Sequence, residues 1–323
     1  MKYLKKSLFF LILAILVLLI GNFFLSRARK VCNEFALNRN VIEAKLRNES
    51  ENTIDILVLG DSEGFSSVSP MQIWTDKGYT TFNASQIGQT PIDELSMLEV
   101  ALQKQQPKVL LLETNAIFQE GATANTAFTT FVNQYLHLFR YHNEWKDLTG
   151  YKFQQDASYK GFAIRAAVVP YTGDSNYMEA NRTNGAYVSK INRTYLDLVR
   201  EKCEKNGISL VLYSVPSPTN YNMEKHEWLQ NYADENSINY IDYNLLTEEI
   251  GLDWSKDALD GGDHVNISGA QKLTKHLEEY LAERYDLSDH RSESADYVNA
   301  WNTEAAEYNG NAEMQISAIR GTN

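Results

Sequence analysis

The sequence predicts an α/β fold in which about five parallel strands form a sheet that helices cover on both faces. Short apolar runs with β-forming residues recur along the chain, and helical patterns separate them. This alternation is typical of parallel sheets, whose strands need crossover connections. The chain has 323 residues, 43% of them hydrophobic, and is long enough to bury the core that such a sheet requires.

The composition excludes several classes of protein. A net charge of −12 argues against nucleic acid as a partner, because phosphate binding needs a basic surface. An aromatic content of 11% with only 6 prolines excludes a disordered or collagen-like chain. The 2 cysteines allow at most one disulfide, and no Cys/His cluster has the spacing of a zinc site.

The N-terminus has the pattern of a membrane segment. Lys2, Lys5 and Lys6 precede an apolar run, and residues 7–25 nearly cross a hydrocarbon core of about 30 Å at about 1.5 Å rise per residue. One interpretation is a cleaved secretory signal, and the other is an uncleaved anchor. We favour the anchor, because residues 26–30 (Ser-Arg-Ala-Arg-Lys) are a poor cleavage context.

The orientation of this segment is predicted from charge. Basic residues stand on both sides of the apolar run, so the positive-inside rule gives only a weak indication, and the free N-terminal amine favours an inside N-terminus. We predict a single-pass protein of the cell membrane, with residues 1–30 as the anchor, residues 31–53 as a linker and the following domain extracellular.

Five runs are predicted to be buried parallel strands, namely residues 54–60, 80–85, 109–114, 209–215 and 238–243. Helical patterns occupy residues 93–105, 187–205 and 268–284, and the second of these stops at Asn206-Gly207, a typical C-cap. Right-handed crossovers place every loop that follows a strand at one edge of the sheet. We assign residues 54–285 to one domain built on this sheet.

Two segments do not follow this alternation. Residues 118–186 are rich in Tyr, Phe, Asn and His, and we predict an insertion that covers the carboxyl edge of the sheet, since loops of that length are usually functional or have structure of their own. The polar tail, residues 286–323, carries Tyr297, Trp301 and Tyr308 at spacings that indicate one helix packing back on the domain.

The first strand ends in Gly60-Asp61-Ser62. A serine at a strand tip before a helix is placed like a nucleophile, and the amides of the following turn can face an oxyanion. Ser or Asp as a helix N-cap is the alternative interpretation. Solvated or capping roles suffice for the neighbouring Asp55 and Glu63.

A second polar segment, residues 260–270, runs into the last predicted helix. It places His264 in a glycine-rich loop with Asp260 and Asp263. A nucleophilic serine needs a base within hydrogen-bond reach, and the base needs an acidic partner on its other nitrogen. A surface histidine in an Asp-Gly turn before a capped helix is the alternative.

Together the two segments resemble the SGNH/GDSL hydrolase superfamily. Residues 83–88 (Asn-Ala-Ser-Gln-Ile-Gly) are similar to the block that supplies a glycine amide to the oxyanion hole. Residues 113–116 (Glu-Thr-Asn-Ala) stand where the family has Gly-x-Asn-Asp, so the asparagine matches and the first glycine and the aspartate do not. The resemblance covers residues 54–285, apart from the insertion, and implies a flavodoxin-like three-layer α/β/α fold.

The resemblance also implies ester hydrolysis or acyl transfer without a metal or cofactor. Ser62 would be the nucleophile and His264 the base. The backbone amides of Ser62 and Gly88, helped by the side chain of Asn115, would bind the oxyanion. Either Asp260 or Asp263 would orient the imidazole; we favour Asp260, because neighbouring side chains in an extended loop point apart.

Residues beside the two motifs are candidates for substrate binding. These are Asp61, Trp254 and Asn266. Further aromatic residues in the predicted insertion could stack on sugar rings, with core packing as the alternative for each: Tyr135, Phe139, Tyr141, Trp145 and Tyr151.

An anchor, an extracellular SGNH-like domain and an aromatic insertion resemble proteins that O-acylate bacterial envelope glycans. Such proteins act beside a multi-pass membrane acyltransferase that supplies the acyl group, so an acyl ester or a glycan is the expected substrate. Two alternatives stay open: a secreted esterase, and a catalytically silent binding or scaffold subunit of a polysaccharide assembly.

Overall fold

A computed structural model describes residues 2–28, 38–119, 128 and 158–321. The strands are β1 Ile56–Leu59, β2 Thr81–Asn83, β3 Val109–Glu113, β4 Ser158–Tyr159, β5 Phe162–Ala163, β6 Ser209–Ser214 and β7 Asn239–Asp242. Five of them form one parallel sheet in the order β2-β1-β3-β6-β7, and β4 and β5 form a separate antiparallel hairpin. The five predicted strands are confirmed, each one to three residues shorter than predicted.

The helices of the described residues, in chain order, are α1 Lys2–Ala28, α2 Asn38–Asn48, α3 Ser62–Ser67, α4 Pro70–Lys77, α5 Pro91–Ala101, α6 Asn115–Phe118, α7 Tyr177–Ala180, α8 Lys190–Asn206, α9 Met223–Asn236, α10 Ile267–Arg284 and α11 Asp296–Gly321. A 3₁₀ turn, Arg182–Asn184, lies between α7 and α8. The sequence predicts α5, α8 and α10 with small shifts of their ends.

Local sequence explains where the helices begin and end. Ser69 caps α4 by accepting a hydrogen bond from the Gln72 amide, and Pro70 occupies the first helical position, where no amide is needed. Gly207 ends α8 in the left-handed conformation, with φ of +68°, which glycine adopts without strain.

The sheet lies between two helical layers because alternate residues of each strand point to opposite faces. On one face Ile56, Val58 and Leu111 pack in a core with α4, α10 and α11. On the other face Leu57 and Leu112 pack in a core with α2, α5, α8 and α9. The predicted three-layer α/β/α fold is confirmed.

The tail forms a helix, α11, that packs against α4 and α10. Its Trp301 is buried, with its ring centroid 5.2 Å from that of Trp74 and the Lys160 ammonium 4.5 Å from its ring centroid. Tyr308 is also buried and contacts the β4–β5 hairpin through the rings of Tyr159 and Phe162. The helix therefore completes the core on this face of the sheet.

The hairpin β4–β5 attaches the described part of the insertion to the sheet. The Asn83 amide donates to the Lys160 carbonyl over 2.9 Å. Gly161 has a φ of +93°, and a Cβ at this position would lie 1.8 Å from the Asn83 carbonyl oxygen, so only glycine fits. The predicted sugar-stacking residues at positions 135–151 lie outside the described residues.

Helix α1 carries a long apolar segment. Residues Lys6–Phe23 have a mean hydropathy of 2.3, and none of this stretch is buried. By length and composition it could cross a membrane, and a signal sequence near an N-terminus has the same character.

Candidate active site

The residues predicted to carry the chemistry follow the carboxyl ends of parallel strands. Ser62 follows β1, Gly88 follows β2 and Asn115 follows β3, whereas His264 lies in the long connection between β7 and α10. The carboxyl ends of parallel strands share one edge of the sheet, which is where α/β proteins form their sites.

The turn after β1 brings Ser62 to the first position of α3. Asp61 caps this helix, and its Oδ1 accepts a hydrogen bond from the Glu63 amide over 2.9 Å. Gly60 permits a close approach to β3, because a Cβ there would lie 2.4 Å from Cβ of Glu113. Ser62 itself is half-buried. The serine is thus held in a tight strand-to-helix turn, as the sequence predicts.

Behind this turn lie four buried carboxyl groups. Burial raises the pKa of the Asp61 carboxyl, which hydrogen bonds from the Glu63 amide and the Asn115 side chain oppose in part. Burial also raises the pKa values of Glu63, Glu94 and Glu113 well above their usual range, and the nearby Asp61 raises all three further. These three glutamates therefore keep their protons to a higher pH than an exposed glutamate does. The expectation that Glu63 is solvated or a cap is wrong, since its side chain is fully buried.

The loop before α10 holds a His–Asp pair. Oδ2 of Asp260 lies 2.7 Å from Nδ1 of His264, and Oδ1 of the same carboxylate accepts the His264 backbone amide over 2.8 Å. Asp263 reaches the same ring nitrogen only at 3.5 Å. A carboxylate that binds both the ring and the backbone fixes the imidazole and keeps its proton on Nδ1. The geometry thus favours Asp260 over Asp263 as the partner.

Side-chain contacts join the segments that carry Ser62 and His264, and no direct hydrogen bond links these two residues in the described part of the chain. Nε2 of His264 is buried and has no hydrogen-bond partner among the described residues. Burial raises the pKa of Asp61, and the imidazole is the smallest of the contributions that oppose this rise. Glu63 is linked to Asp263 through Asn220, so the residue after Ser62 is joined to the histidine loop. Catalytic hydrogen bonds are often long in free enzymes and tighten with substrate.

The three predicted oxyanion donors have different surroundings. Asn115 is buried, and its Nδ2 donates to Oδ2 of Asp61 over 2.8 Å, which leaves one N–H of this amide for another acceptor. Gly88 lies in an exposed turn after β2 with φ of +65°. The Ser62 amide lies in the first turn of α3, where helix N–H groups have no partner within the helix.

Of the three predicted substrate-binding residues, two are buried and one is half-buried. Asn266 is fully buried and caps α10, accepting from the Ser268 amide and donating to the Lys256 carbonyl, so its role here is structural. Asp61 is buried and bonded on both oxygens. Trp254 is half-buried, and its ring contacts Tyr171 and Tyr177.

One group of side chains could hold a metal ion. Ligand atoms of Asp260, Asp263 and His264 lie within 4.8 Å of one another. The same atoms form the contacts described above, in which Asp260 binds the imidazole and Asp263 binds Asn220. The arrangement of these three residues is therefore accounted for by hydrogen bonds within the protein.

Sequence reasoning missed Asn220. This residue lies in the loop after β6, and its Nδ2 donates to Oε1 of Glu63 over 2.6 Å and to Oδ1 of Asp263 over 2.5 Å. The sequence feature that could have indicated Asn220 is its position in the polar loop Pro216 to Asn220, which follows the carboxyl end of a predicted strand.

Comparisons with known proteins give a distant likeness in fold. No protein-family model matches the chain, and no curated protein matches it. Among solved structures, a protein from Desulfitobacterium hafniense DCB-2, described as lipolytic and of the G-D-S-L family, is 13% identical; the match covers 71% of this chain and 99% of that chain, with a TM-score of 0.42.

Two further structures have similar values. A lipase/acylhydrolase from Enterococcus faecalis is 14% identical, with 73% of this chain and 99% of that chain covered and a TM-score of 0.38. The psychrotrophic esterase EstA from Pseudoalteromonas sp. is 13% identical, with 71% and 96% covered and a TM-score of 0.40. At such values no activity is transferred from these proteins to this chain.

Proposed function

We propose that this protein is a serine-dependent esterase or acyltransferase of the SGNH type. One observation carries the proposal: an imidazole whose Nδ1 is bound by Asp260 and whose Nε2 is buried without a partner among the described residues lies in a loop that Asn220 joins to the helix turn carrying Ser62. A hydroxyl nucleophile requires such a base, because a carboxylate orients the imidazole through one nitrogen while the other nitrogen can accept the hydroxyl proton.

The reaction follows from these positions. Nε2 of His264 takes the proton of the Ser62 hydroxyl as its oxygen attacks the acyl carbonyl, and Asp260 stabilises the resulting imidazolium. The amides of Ser62 and Gly88 and the second N–H of Asn115 donate to the oxyanion; one such donor is typically worth about 10²–10³ in rate. The imidazolium returns the proton to the leaving alkoxide. Water or a sugar hydroxyl then attacks the acyl-serine.

We further propose that the site acts at the outer face of the cell membrane on an envelope polysaccharide, adding or removing O-acyl groups. Helix α1 supports the membrane location, since it could serve as an anchor. Two half-buried aromatic rings, those of Tyr171 and Trp254, support a glycan, because aromatic faces stack on sugar rings. A multi-pass membrane acyltransferase would be the source of the acyl group.

Labelling with a fluorophosphonate tests the nucleophile. We expect the wild-type chain to be labelled, Ser62→Ala to lose the label completely, and His264→Ala to lose most of it, because the base activates the hydroxyl. Ser67→Ala is the matched control, since this buried serine lies in the same helix. Labelling of Ser62→Ala at the wild-type level would refute the assignment.

Mass spectrometry separates hydrolysis from transfer. After incubation with an acetyl ester we expect a 1:1 acetyl adduct on Ser62 in the wild-type chain and none in His264→Ala. Adding a polysaccharide acceptor then discriminates the two reactions: a transferase passes the acetyl group to the glycan, whereas an esterase releases acetate at the same rate with and without it.

A catalytically silent scaffold is the second candidate. It is favoured by the hydrogen bond between Asn115 and Asp61, which engages an expected oxyanion donor, and by the absence of a Ser62–His264 hydrogen bond among the described residues. A wild-type chain that binds the polysaccharide but takes neither the fluorophosphonate nor an acetyl group would support it.

A further inference from the structure

A single side-chain amide joins the nucleophile segment to the base segment. Nδ2 of Asn220 lies 2.6 Å from Oε1 of Glu63 and 2.5 Å from Oδ1 of Asp263. Glu63 directly follows Ser62, and Asp263 directly precedes His264. The two acceptors are separated from Asn220 by 157 and 43 positions along the chain, so only the fold brings them together.

We infer that Asn220 is a positioning residue that holds Asp263 away from the catalytic imidazole and ties the histidine loop to the Ser62 turn. The inference rests on the proposed function, and it deepens that function by adding a residue which acts through Ser62 and His264 without touching the reacting atoms.

The two acceptors differ in exposure. Glu63 is fully buried, and burial raises its pKa well above the usual range. The side chain of Asp263 is 45% exposed. Nδ2 of Asn220 also lies 3.1 Å from the Ser217 hydroxyl oxygen, but its two shorter contacts are to the carboxyl groups, and its two N–H groups can give one to each. A charged residue such as lysine could not make this bridge without leaving a charge beside the buried Glu63.

The bridge determines which aspartate binds His264. With Oδ1 bound to Asn220, the other oxygen of Asp263 stops 3.5 Å from Nδ1, outside a good hydrogen bond, whereas Asp260 binds the ring at 2.7 Å. Without Asn220, Oδ1 of Asp263 would keep only a 3.5 Å contact with the Thr219 hydroxyl, and the carboxylate could move onto the same nitrogen. Two carboxylates would then compete for one N–H and turn the imidazole out of its reactive orientation.

Other contacts keep the two loops together, so removing Asn220 need not unfold them. The Thr219 amide donates to the Gly262 carbonyl over 3.2 Å, and the Ser217 hydroxyl donates to the Asp263 carbonyl over 2.8 Å. The loss of the Asn220 amide therefore changes the position of a carboxylate more than the path of the backbone.

Four acidic groups are placed near the imidazole by the contacts and electrostatic interactions of the described residues. Asp260 and Asp263 lie on its own loop, and Asp61 lies on the turn before α3. Glu63 in α3 acts on Asp263 through Asn220. Of these groups, Asp263 is the one that Asn220 binds and that lies near the ring nitrogen, so we expect its distance to the imidazole to change when Asn220 is replaced.

The test is ester hydrolysis by the full chain in detergent, with p-nitrophenyl acetate across pH 5–9. For Asn220→Ala we expect kcat to fall about tenfold with KM within about twofold. The acid limb of the kcat/KM profile should move up by about half a pH unit, because a second carboxylate near the imidazole favours its charged form. Adding Asp263→Asn to Asn220→Ala should return the limb to its wild-type position.

Asn181→Ala is the matched control, because its Nδ2 donates to the Pro218 carbonyl of the same loop but contacts neither carboxyl group. An unshifted pH profile in Asn220→Ala, or the same shift in Asn181→Ala, would overturn the inference while leaving the esterase intact. If the wild-type chain shows no Ser62-dependent hydrolysis at all, the proposed function fails and the inference fails with it. Asn220→Ser, which is smaller but polar, should behave as Asn220→Ala does, and wild-type kinetics in that variant would also count against the bridge.

Discussion

At the scale of single residues, the histidine loop holds two aspartates at different distances from one ring nitrogen. Asp260 lies 2.7 Å from Nδ1 of His264 and Asp263 lies 3.5 Å from it. We expect Asp260→Asn to lower kcat by about 10³–10⁴, because the amide cannot hold the proton on Nδ1 or stabilise the imidazolium. Asp263→Asn should lower kcat less than about tenfold.

Steady-state hydrolysis of a p-nitrophenyl ester by both variants measures this difference. The two substitutions are matched in size and charge, so a general effect of neutralising the loop would appear in both. Equal losses, or the larger loss in Asp263→Asn, would assign the orienting role to the other aspartate.

The buried Glu113 gives the fold a dependence on pH. Burial raises the pKa of its carboxyl well above the usual 4.5, so the folded protein keeps this proton to a higher pH than the unfolded chain does. The folded state then binds more protons above pH 4.5, and by linkage this contribution to stability falls as the pH rises. Glu113→Gln keeps an oxygen acceptor for the Asn115 amide and the Tyr221 hydroxyl and does not titrate.

Urea unfolding at several pH values measures the effect of Glu113→Gln. We expect the variant to gain stability relative to the wild-type chain steadily as the pH rises from 4.5 to 8. A difference between the two that stays constant over this range would show that Glu113 carries its charge in the folded protein.

At the scale of elements, the C-terminal helix α11 contributes to the main core. Its buried Trp301 packs against Trp74 and lies under the Lys160 ammonium. We expect Trp301→Ala to lower the free energy of unfolding by about 3–5 kcal/mol, through lost apolar burial and the cavity it leaves. Asn299→Ala, an exposed position on the same helix, should change it by less than about 0.5 kcal/mol in the same denaturation experiment.

The elements that the sequence predicts are those with a strong apolar signal. Strands β1, β3 and β6 are short apolar runs that are buried almost throughout, and they lie where they are predicted. Strands β2 and β7 are more polar, and they are predicted from their β-forming residues. Helix α9 is not predicted, because only Leu229, Tyr232 and Ala233 of its fourteen residues are buried, too few to give a helical pattern. The β4–β5 hairpin has strands of two residues, which leave no period to detect.

In the candidate site, too, residues in local motifs are predicted and contacts between remote residues are not. Ser62 and His264 stand out in sequence because each lies in a short motif beside a predicted element. Asn220 binds Glu63 and Asp263, which are remote from it along the chain, so these contacts could not be predicted from the pattern of any one segment. The burial of Glu63 was missed for a similar reason, since its surroundings come from other strands and loops.

At the scale of the whole molecule, the fate of helix α1 decides where the protein acts. We predict that the full chain stays in the membrane fraction after extraction with alkaline carbonate, and that a chain lacking residues 2–28 moves to the supernatant, because the apolar helix is the only such segment among the described residues. A mature protein whose intact mass lacks the first thirty residues or so would instead identify a cleaved signal.

The short distance along the chain between α1 and α2 would limit where an anchored protein meets its substrate. Nine residues separate Ala28 from Asn38, and even fully extended they reach only about 30 Å. If α1 stays in the bilayer, the domain would search only a thin layer above the lipid surface, and a polymer strand close to the lipid would be modified before one farther out.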